Sequence, residues 1–401
     1  HVKTPAQLLG RRFSGCEGTH GVFPACDFAC KPCYHSADAN RVPIDGAHTV
    51  AEVTRQMAYL RRRRGPAQYA QLIGGEVSLL SPEDHAASLE VMRAHGRMPM
   101  SMTHGDFSYD YLRRLTVRPD GTRRFRNVAF AAHIDSTMRG RTGATRVQSE
   151  AALQPHRAEF CARFARLRRD HGVHAHLAHN MTVTTDNVDE IPSVVRASHA
   201  LGFRVFSFQP AAYVGNEHRW REGYRTLDPD EVWAHIEEGA GTRLPFRAVE
   251  VGDIRCNRTV WGVYVGERYV PLLDDREPRD LALRDALFAA LPGSLLFAPR
   301  TQQAVRIVRG VASTPRIVPL ALTWAIRFLR RAGGPWRLRH GVRPVTFVMH
   351  NFMDARDVAP AWTLLQRNEM SDDPRIRETQ ERLLACSYHM AHPESDELVP
   401  A

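Results

Sequence analysis

Strand, polar tip, helix is the pattern that repeats along the first half of this chain, and few folds accommodate it. Residues 67–73 (AQYAQLI) read as a buried strand running into Gly74-Gly75-Glu76. Ser81-Pro82-Glu83 then opens a helix, with serine as cap and proline in the first turn. Residues 98–104 form a second apolar run ending in His104-Gly105-Asp106, and 127–134 (NVAFAAHI) a third ending in Asp135-Ser136. Helical spacing marks 150–170 as a helix, 173–183 follows as a strand, Asn187 is placed to cap the next helix, and 204–208 leads into Gln209 and Tyr213. This order predicts an α/β fold, a partial (β/α)6 TIM-type barrel with a C-terminal mixed α+β extension. In such barrels the chemistry collects at the carboxyl ends of the strands, where every polar tip just named falls. Three regions are expected: a barrel core over 1–225, a helix and β-rich segment with Cys256 over 226–290, and a basic amphipathic region over 291–401.

Cys26-Asp-Phe-Ala-Cys30-Lys-Pro-Cys33 sets three thiols in a Cys-x3-Cys-x2-Cys spacing. A structural zinc site asks for four ligands, most often as two Cys-x2-Cys pairs. No fourth cysteine completes a pair nearby, and His35 follows too closely to be an evident ligand. Disulfides are a poor reading of seven cysteines, an odd count with the rest scattered. Three thiolates suit a [4Fe-4S] cubane whose fourth iron is left open for a substrate or cofactor.

With Gly74-Gly75-Glu76 following, this spacing resembles the radical S-adenosylmethionine (radical SAM) superfamily. The resemblance implies a cluster on Cys26, Cys30 and Cys33, with S-adenosylmethionine (SAM) bound to the open iron. It implies an electron donor of the flavodoxin or ferredoxin type, cleavage of SAM to a 5′-deoxyadenosyl radical, and hydrogen abstraction from an unactivated C–H bond. In that family Gly74, Gly75 and Glu76 would contact the methionine ammonium: glycines admit close backbone approach, and a carboxylate offers a charge-assisted hydrogen bond. His133, Asp135 and Ser136 resemble the place where the ribose or carboxylate of SAM is held, and Gln209 with Tyr213 marks the strand where adenine packs. Asn180, Thr182 and Thr184 share one face of the fifth strand, and Met181 and Val183 the other, so only one set faces the interior. Thr182 is carried as a SAM-binding candidate. Pro32 stands where an aromatic residue is usual, with Tyr34 just after, and Val77 stands where proline is usual; neither change removes a ligand. For each candidate besides Glu76 the competing reading is a hydrogen-bonded strand-end residue. His104 and Asp106 read as substrate contacts or satisfied loop residues.

Cys161 lies in the apolar stripe of a helix and reads as core packing. Cys16, Cys256 and Cys386, with His389, are candidates for a second iron–sulfur centre, against the simpler reading of buried thiols. From 295 to 343 apolar blocks alternate with arginine, around Trp324, Phe328 and Trp336. Such a segment suits an anionic membrane surface, a lid over a greasy substrate, or packing on the barrel. In pattern it is loosely similar to lipid-acting radical SAM enzymes such as the tetraether synthase group. A lipid or other long apolar substrate is therefore one expectation, and a peptide or small molecule the alternative. The Met349–Asp354 stretch, MHNFMD, is expected near the active site. A net charge of +10 leaves a basic metal-binding nucleic-acid module as the competing class, but no helix-turn-helix or zinc-finger pattern supports one. No signal peptide or spanning helix is visible, so a cytoplasmic enzyme with peripheral membrane contact is expected. The chain starts at His1 and stops at Ala401 without a terminating feature, so residues are expected beyond both ends.

Overall fold

The computed structural model describes residues 16–33, 38–65, 68–141, 149–215, 217–290, 300–391 and 398–400. Tyr34, His35 and the start of the amphipathic stretch, 291–299, lie outside the described residues. The first half alternates as its pattern predicts: β1 (Glu17–Gly18), α1 (Gly46–Arg64), β2 (Gln68–Leu72), α2 (Pro82–Ala94), β3 (Arg97–Thr103), α3 (Tyr109–Thr116), β4 (Asn127–His133), α4 (Gln154–His171), β5 (His174–Val183), α5 (Ile191–Ser198) and β6 (Val205–Pro210). Capping chemistry sets the helix starts. Ser81 accepts from Asp84 N at 3.0 Å, with Pro82 in the first turn of α2. Asn187 stands at the N-cap position of the 3-10 turn 188–190 that runs into α5, but its side chain makes no cap bond and instead accepts from Thr184 N at the end of β5.

The second half adds α6 (Pro229–Ala240), β7 (Asn257–Val265), β8 (Arg268–Pro271), α7 (Pro278–Ala290), α8 (Arg300–Ser313), α9 (Ile317–Arg331), β9 (Val342–His350), α10 (Ala355–Gln366), α11 (Pro374–Ala385), β10 (His389–Ala391) and β11 (Leu398–Pro400). All strands join one eleven-stranded sheet in the order β11-β10-β1-β2-β3-β4-β5-β6-β9-β7-β8. From β10 through β1–β6 to β9 every neighbour is parallel; β7, β8 and β11 pair antiparallel. The fold is α/β with a largely parallel sheet, as expected. The sheet nonetheless crosses both expected regional boundaries, since β9 pairs with β6 and β10 with β1. β9, which leads into the MHNFMD stretch, is nine residues long and sits inside the sheet between β6 and β7.

Alternation along the strands separates two faces. Phe130, Ala132, Leu177, Met181, Val183, Phe206, Phe208 and Phe347 join the helices in the main core. Met102, Ala131 and Ala178, flanked by Ile73, Met100 and Val205, form a smaller cluster on the opposite face. Met181 and Val183 thus take the helix side, which turns Asn180 and Thr182 to the opposite, inner face.

Candidate active site

Because β1–β6 and β9 run parallel, their carboxyl ends meet on one side, and the cysteine loop leaves β1 there. Gly75 N donates to Phe23 O (2.6 Å) and Glu76 N to Ala25 O (2.8 Å); farther along, Ala29 N donates to Arg139 O (2.8 Å) and Lys31 N to Thr137 O (3.1 Å). This junction has no room for side chains. A Cβ on Gly74 would lie 2.6 Å from the Phe23 carbonyl oxygen, and one on Gly75 would overlap the Ala25 carbonyl. The two glycines thus let the cysteine loop seat.

Glu76 is buried, and protein groups occupy its carboxylate. Oε1 accepts from Ser78 N (2.9 Å), Ser78 Oγ (2.6 Å) and Thr103 Oγ1 (2.6 Å), and Oε2 accepts from His104 N (2.7 Å). A carboxylate offers about four acceptor positions. Glu76 thus clamps the ends of β2 and β3 together, with three donors on Oε1 and one on Oε2. His104 is likewise satisfied, because Asp106 N donates to its Nδ1 (3.0 Å) and its Nε2 meets Asp27 Oδ1 (2.9 Å). Its ring stacks on Phe28 with centroids 3.9 Å apart. The bond from His104 holds the Asp27 carboxyl below its usual range.

Cys26, Cys30 and Cys33 are partly exposed on this loop. Burial pushes the Cys26 thiol up to about 12 and Cys30 well above its ordinary value, and the charges of the neighbouring cysteines add to both. Among the described residues no three or more His, Cys, Asp or Glu side chains are set to hold a metal ion. A single zinc needs its ligands about 2.0–2.3 Å from one point. A cubane instead takes one thiolate at each of three separate irons, and three soft thiols crowded on one loop fit that donor set.

At the next strand ends, Asp135 accepts from Thr137 N (2.9 Å), Thr137 Oγ1 (2.5 Å) and Thr182 N (2.9 Å). Ser136 N donates to Glu150 Oε1 (2.7 Å), and Asn187 Nδ2 reaches Ser136 Oγ (3.2 Å) and Glu150 Oε1 (3.0 Å). Glu150 is ion-paired with the buried Arg157, which also donates to Ile134 O (2.9 Å) and His179 Nε2 (2.9 Å). Burial raises the Asp135 and Glu150 carboxyls, and Arg157 opposes that shift. These groups build the turn after β4. The Asp135 carboxylate and the Ser136 amide are spent inside it.

On the inner face, the apolar row of Ala131, Ala178 and Val205 gives way toward the strand ends to a row that is mostly polar. Register sets His133, Asn180, Ser207, Val348 and Thr259 in one row of the inner face, and Thr182 beside Gln209 in the row above. Asn180 Nδ2 meets His133 Nε2 at 3.1 Å, which leaves the proton of a neutral ring on Nδ1. Thr259 Oγ1 donates to Asn257 Oδ1 (2.6 Å), so the Asn257 amide turns its Nδ2 to His350 Nδ1 (3.0 Å) and the His350 proton sits on Nε2. Burial lowers both histidines to about 4, so both are neutral near pH 7. His350 lies in the MHNFMD stretch, and β9 brings it to the rim. Asn257, Thr259 and Ser207 were not singled out in the sequence, because each reads as an ordinary polar strand residue until register aligns it. Arg157 was hidden in an arginine-rich helix that looks like a solvated face.

Cys16, Cys256 and Cys386, like Cys26, Cys30 and Cys33, form no preset group of three or more metal-binding side chains among the described residues. Cys256 Sγ accepts from Arg382 Nε (3.0 Å), Cys386 Sγ donates to Tyr388 O (3.1 Å), and the Cys16 thiol turns to Glu17 O (3.6 Å). His389 is held in β10 opposite Glu17. Each thiol has a local partner, and the three are distributed between the end of α11, the start of β7 and the start of β1. Cys161 is in the main core.

No protein-family model matches the chain, and no curated protein sequence does. Solved structures do. SuiB of Streptococcus suis is 12% identical with a TM-score of 0.35, over 51% of this chain and 41% of that one. SuiB bound to S-adenosylmethionine is 11% identical with a TM-score of 0.37, over 52% and 44%. Native anSMEcpe with bound AdoMet is 12% identical with a TM-score of 0.33, over 57% and 62%. The similarity thus takes in about half of this chain and less than half of the SuiB structures. No helix among the described residues is long and apolar enough to cross a membrane.

Proposed function

We propose that this chain is a radical SAM enzyme. The observation that carries the reading is the seating of the three-cysteine loop on the strand ends, by backbone bonds from Gly75 and Glu76 after β2, by His104 and Asp27 after β3, and by bonds from Ala29 and Lys31 to Arg139 and Thr137 after β4. Cys26, Cys30 and Cys33 are the thiols for a [4Fe-4S] cluster. When bound, the cluster and SAM supply one-electron cleavage of the sulfonium and a radical able to take hydrogen from carbon. The chain's own share is positional. Glu76, Thr103 and His104 hold the cysteine loop against the strand ends, and Asp135 with Thr182 stiffens the turn beside it. His133 and His350 each offer one N–H donor across a rim that also carries Ser207, Thr182 and Gln209. Such a rim suits a ligand with its own hydrogen-bonding groups and gives little to a purely aliphatic chain. It favours the small-molecule or peptide alternative over the lipid expectation.

The test is anaerobic reconstitution with iron and sulfide, then reduction in the presence of SAM. About four irons per chain and release of 5′-deoxyadenosine are expected, both lost when Cys26, Cys30 and Cys33 are changed to alanine. Iron held without SAM cleavage, or cleavage surviving the triple change, would overturn the assignment.

A further inference from the structure

Residues 286–353 contain ten arginines and neither Asp nor Glu, while the whole chain carries 54 Lys and Arg against 44 Asp and Glu. The formal excess of +10 therefore resides in this one stretch, and the rest of the chain is balanced. Three of the ten are spent in ion pairs, Arg327 and Arg331 on the buried Asp280 and Arg343 on Glu267. Arg309, Arg316, Arg330, Arg337 and Arg339 are exposed, with no carboxylate partner among the described residues.

Large apolar side chains share the surface with these arginines. α9 packs inward through Ile317, Leu320, Trp324 and Phe328, against α7 and the β7–β8 hairpin. Its outward stripe is Val318, Leu322, Ile326 and Arg330 at four-residue spacing. Leu322 is 62% exposed and Ile326 52%, while Val308 on α8 is 67% exposed and Trp336 just after α9 is 61%. Isolated exposed apolar residues need no explanation, but a helix that is apolar on both sides and edged by unpaired arginine does.

We propose that the outward face of α8, α9 and the Trp336 turn docks on an anionic lipid membrane. Charge complementarity selects the occupant. Unpaired arginines match anionic head groups, and aliphatic side chains with a tryptophan match the head-group and acyl boundary. Nucleic acid would use the arginines but leave Val308, Leu322 and Ile326 in water. The proposal does not rest on the radical chemistry, and it assigns a surface, not a substrate.

The test is co-flotation of the reconstituted chain with vesicles of phosphatidylglycerol and phosphatidylcholine, against phosphatidylcholine alone. Binding to the anionic vesicles only, weakened by salt, is expected, with a blue shift of tryptophan emission that the Trp336→Phe variant loses. Leu322→Gln with Ile326→Gln, which changes no charge, should lower the vesicle partition coefficient by about tenfold, and Arg330→Gln with Arg337→Gln and Arg339→Gln by about a hundredfold. Unchanged melting and iron content would show that these variants fold. Absent binding, or equal binding to both vesicles, overturns the proposal. So does a concentration-dependent dimer that the Leu322 and Ile326 changes abolish, which would make the occupant a second copy. Salt-dependent binding to duplex DNA that the same changes leave intact, without flotation, overturns it as well.

Discussion

Glu76 shows how much one side chain is asked to do. Glu76→Gln keeps the shape but turns one acceptor oxygen into a donor facing Ser78, Thr103 or His104, all of which donate. Loss of a charged hydrogen bond in a buried site costs about 1.5–3 kcal/mol. A drop of that size in denaturant stability is expected, with lower iron incorporation because the cysteine loop is seated through the same residues. Unchanged stability would place the carboxylate outside the clamp. Acid sensitivity is a second property of single residues. His85 is lowered to about 3, and His133 and His350 to about 4, all by burial. Their folded values lie below the unfolded one near 6.5, so the unfolded chain binds more protons between about 4 and 6.5. The stability they contribute is complete above pH 6.5 and falls as the pH drops toward 4, by up to about 1.4 kcal/mol per pH unit for each ring. Unfolding free energy measured from pH 7 to 4.5 should show this slope, and His85→Phe should flatten it.

At the scale of elements, α9 is pinned by a buried carboxylate. Asp280 on α7 is fully buried, takes Arg327 at 2.6 Å and Arg331 at 2.9 Å, and accepts from Asp274 N at 3.0 Å. Removing one partner of a buried ion pair typically costs about 3–5 kcal/mol, because the other charges are left uncompensated. Asp280→Asn should therefore raise hydrogen exchange across 317–331 while leaving β2–β6 protected. Equal exchange in the two proteins would mean that apolar packing alone holds the helix. The same pin keeps the outward stripe of α9 turned to solvent.

Considered as a whole, the molecule gains sheet neighbours from its far end. β1 is two residues long and precedes the cysteine loop, and β10 pairs with it at Glu17↔His389 and Gly18↔Met390. Arg64 ties the same place together through Cys16 O at 3.0 Å and Ser387 O at 3.5 Å. A chain ending at Ala385 should lose these contacts and expose an unpaired strand edge. Lower iron occupancy and concentration-dependent aggregation are expected. A truncated protein with full iron and unchanged melting would show that β1 needs no cover.

The sequence alone determined the alternation of strands and helices in the first half of the chain, and it raised the expectation of a cluster on Cys26, Cys30 and Cys33. Strand and helix patterns, the Ser81 cap and the Cys-x3-Cys-x2-Cys spacing act over a few residues, so their physics is local. Periodicity separated Met181 and Val183 from Asn180 and Thr182, and the packing of Met181 and Val183 in the main core decided which set faces inward. Tertiary structure decided everything that depends on distant neighbours. Gly74 and Gly75 make room for the Phe23–Ala25 backbone, Glu76 and Asp135 tie neighbouring strand ends together, and Cys256 meets Arg382. His350 reaches the rim because β9 enters the sheet beside β6, a pairing more than a hundred residues apart in sequence. Hydrogen-bond valence is the physical reason. A buried polar group takes whichever partner the fold brings within about 3 Å, and no local pattern states which one that will be.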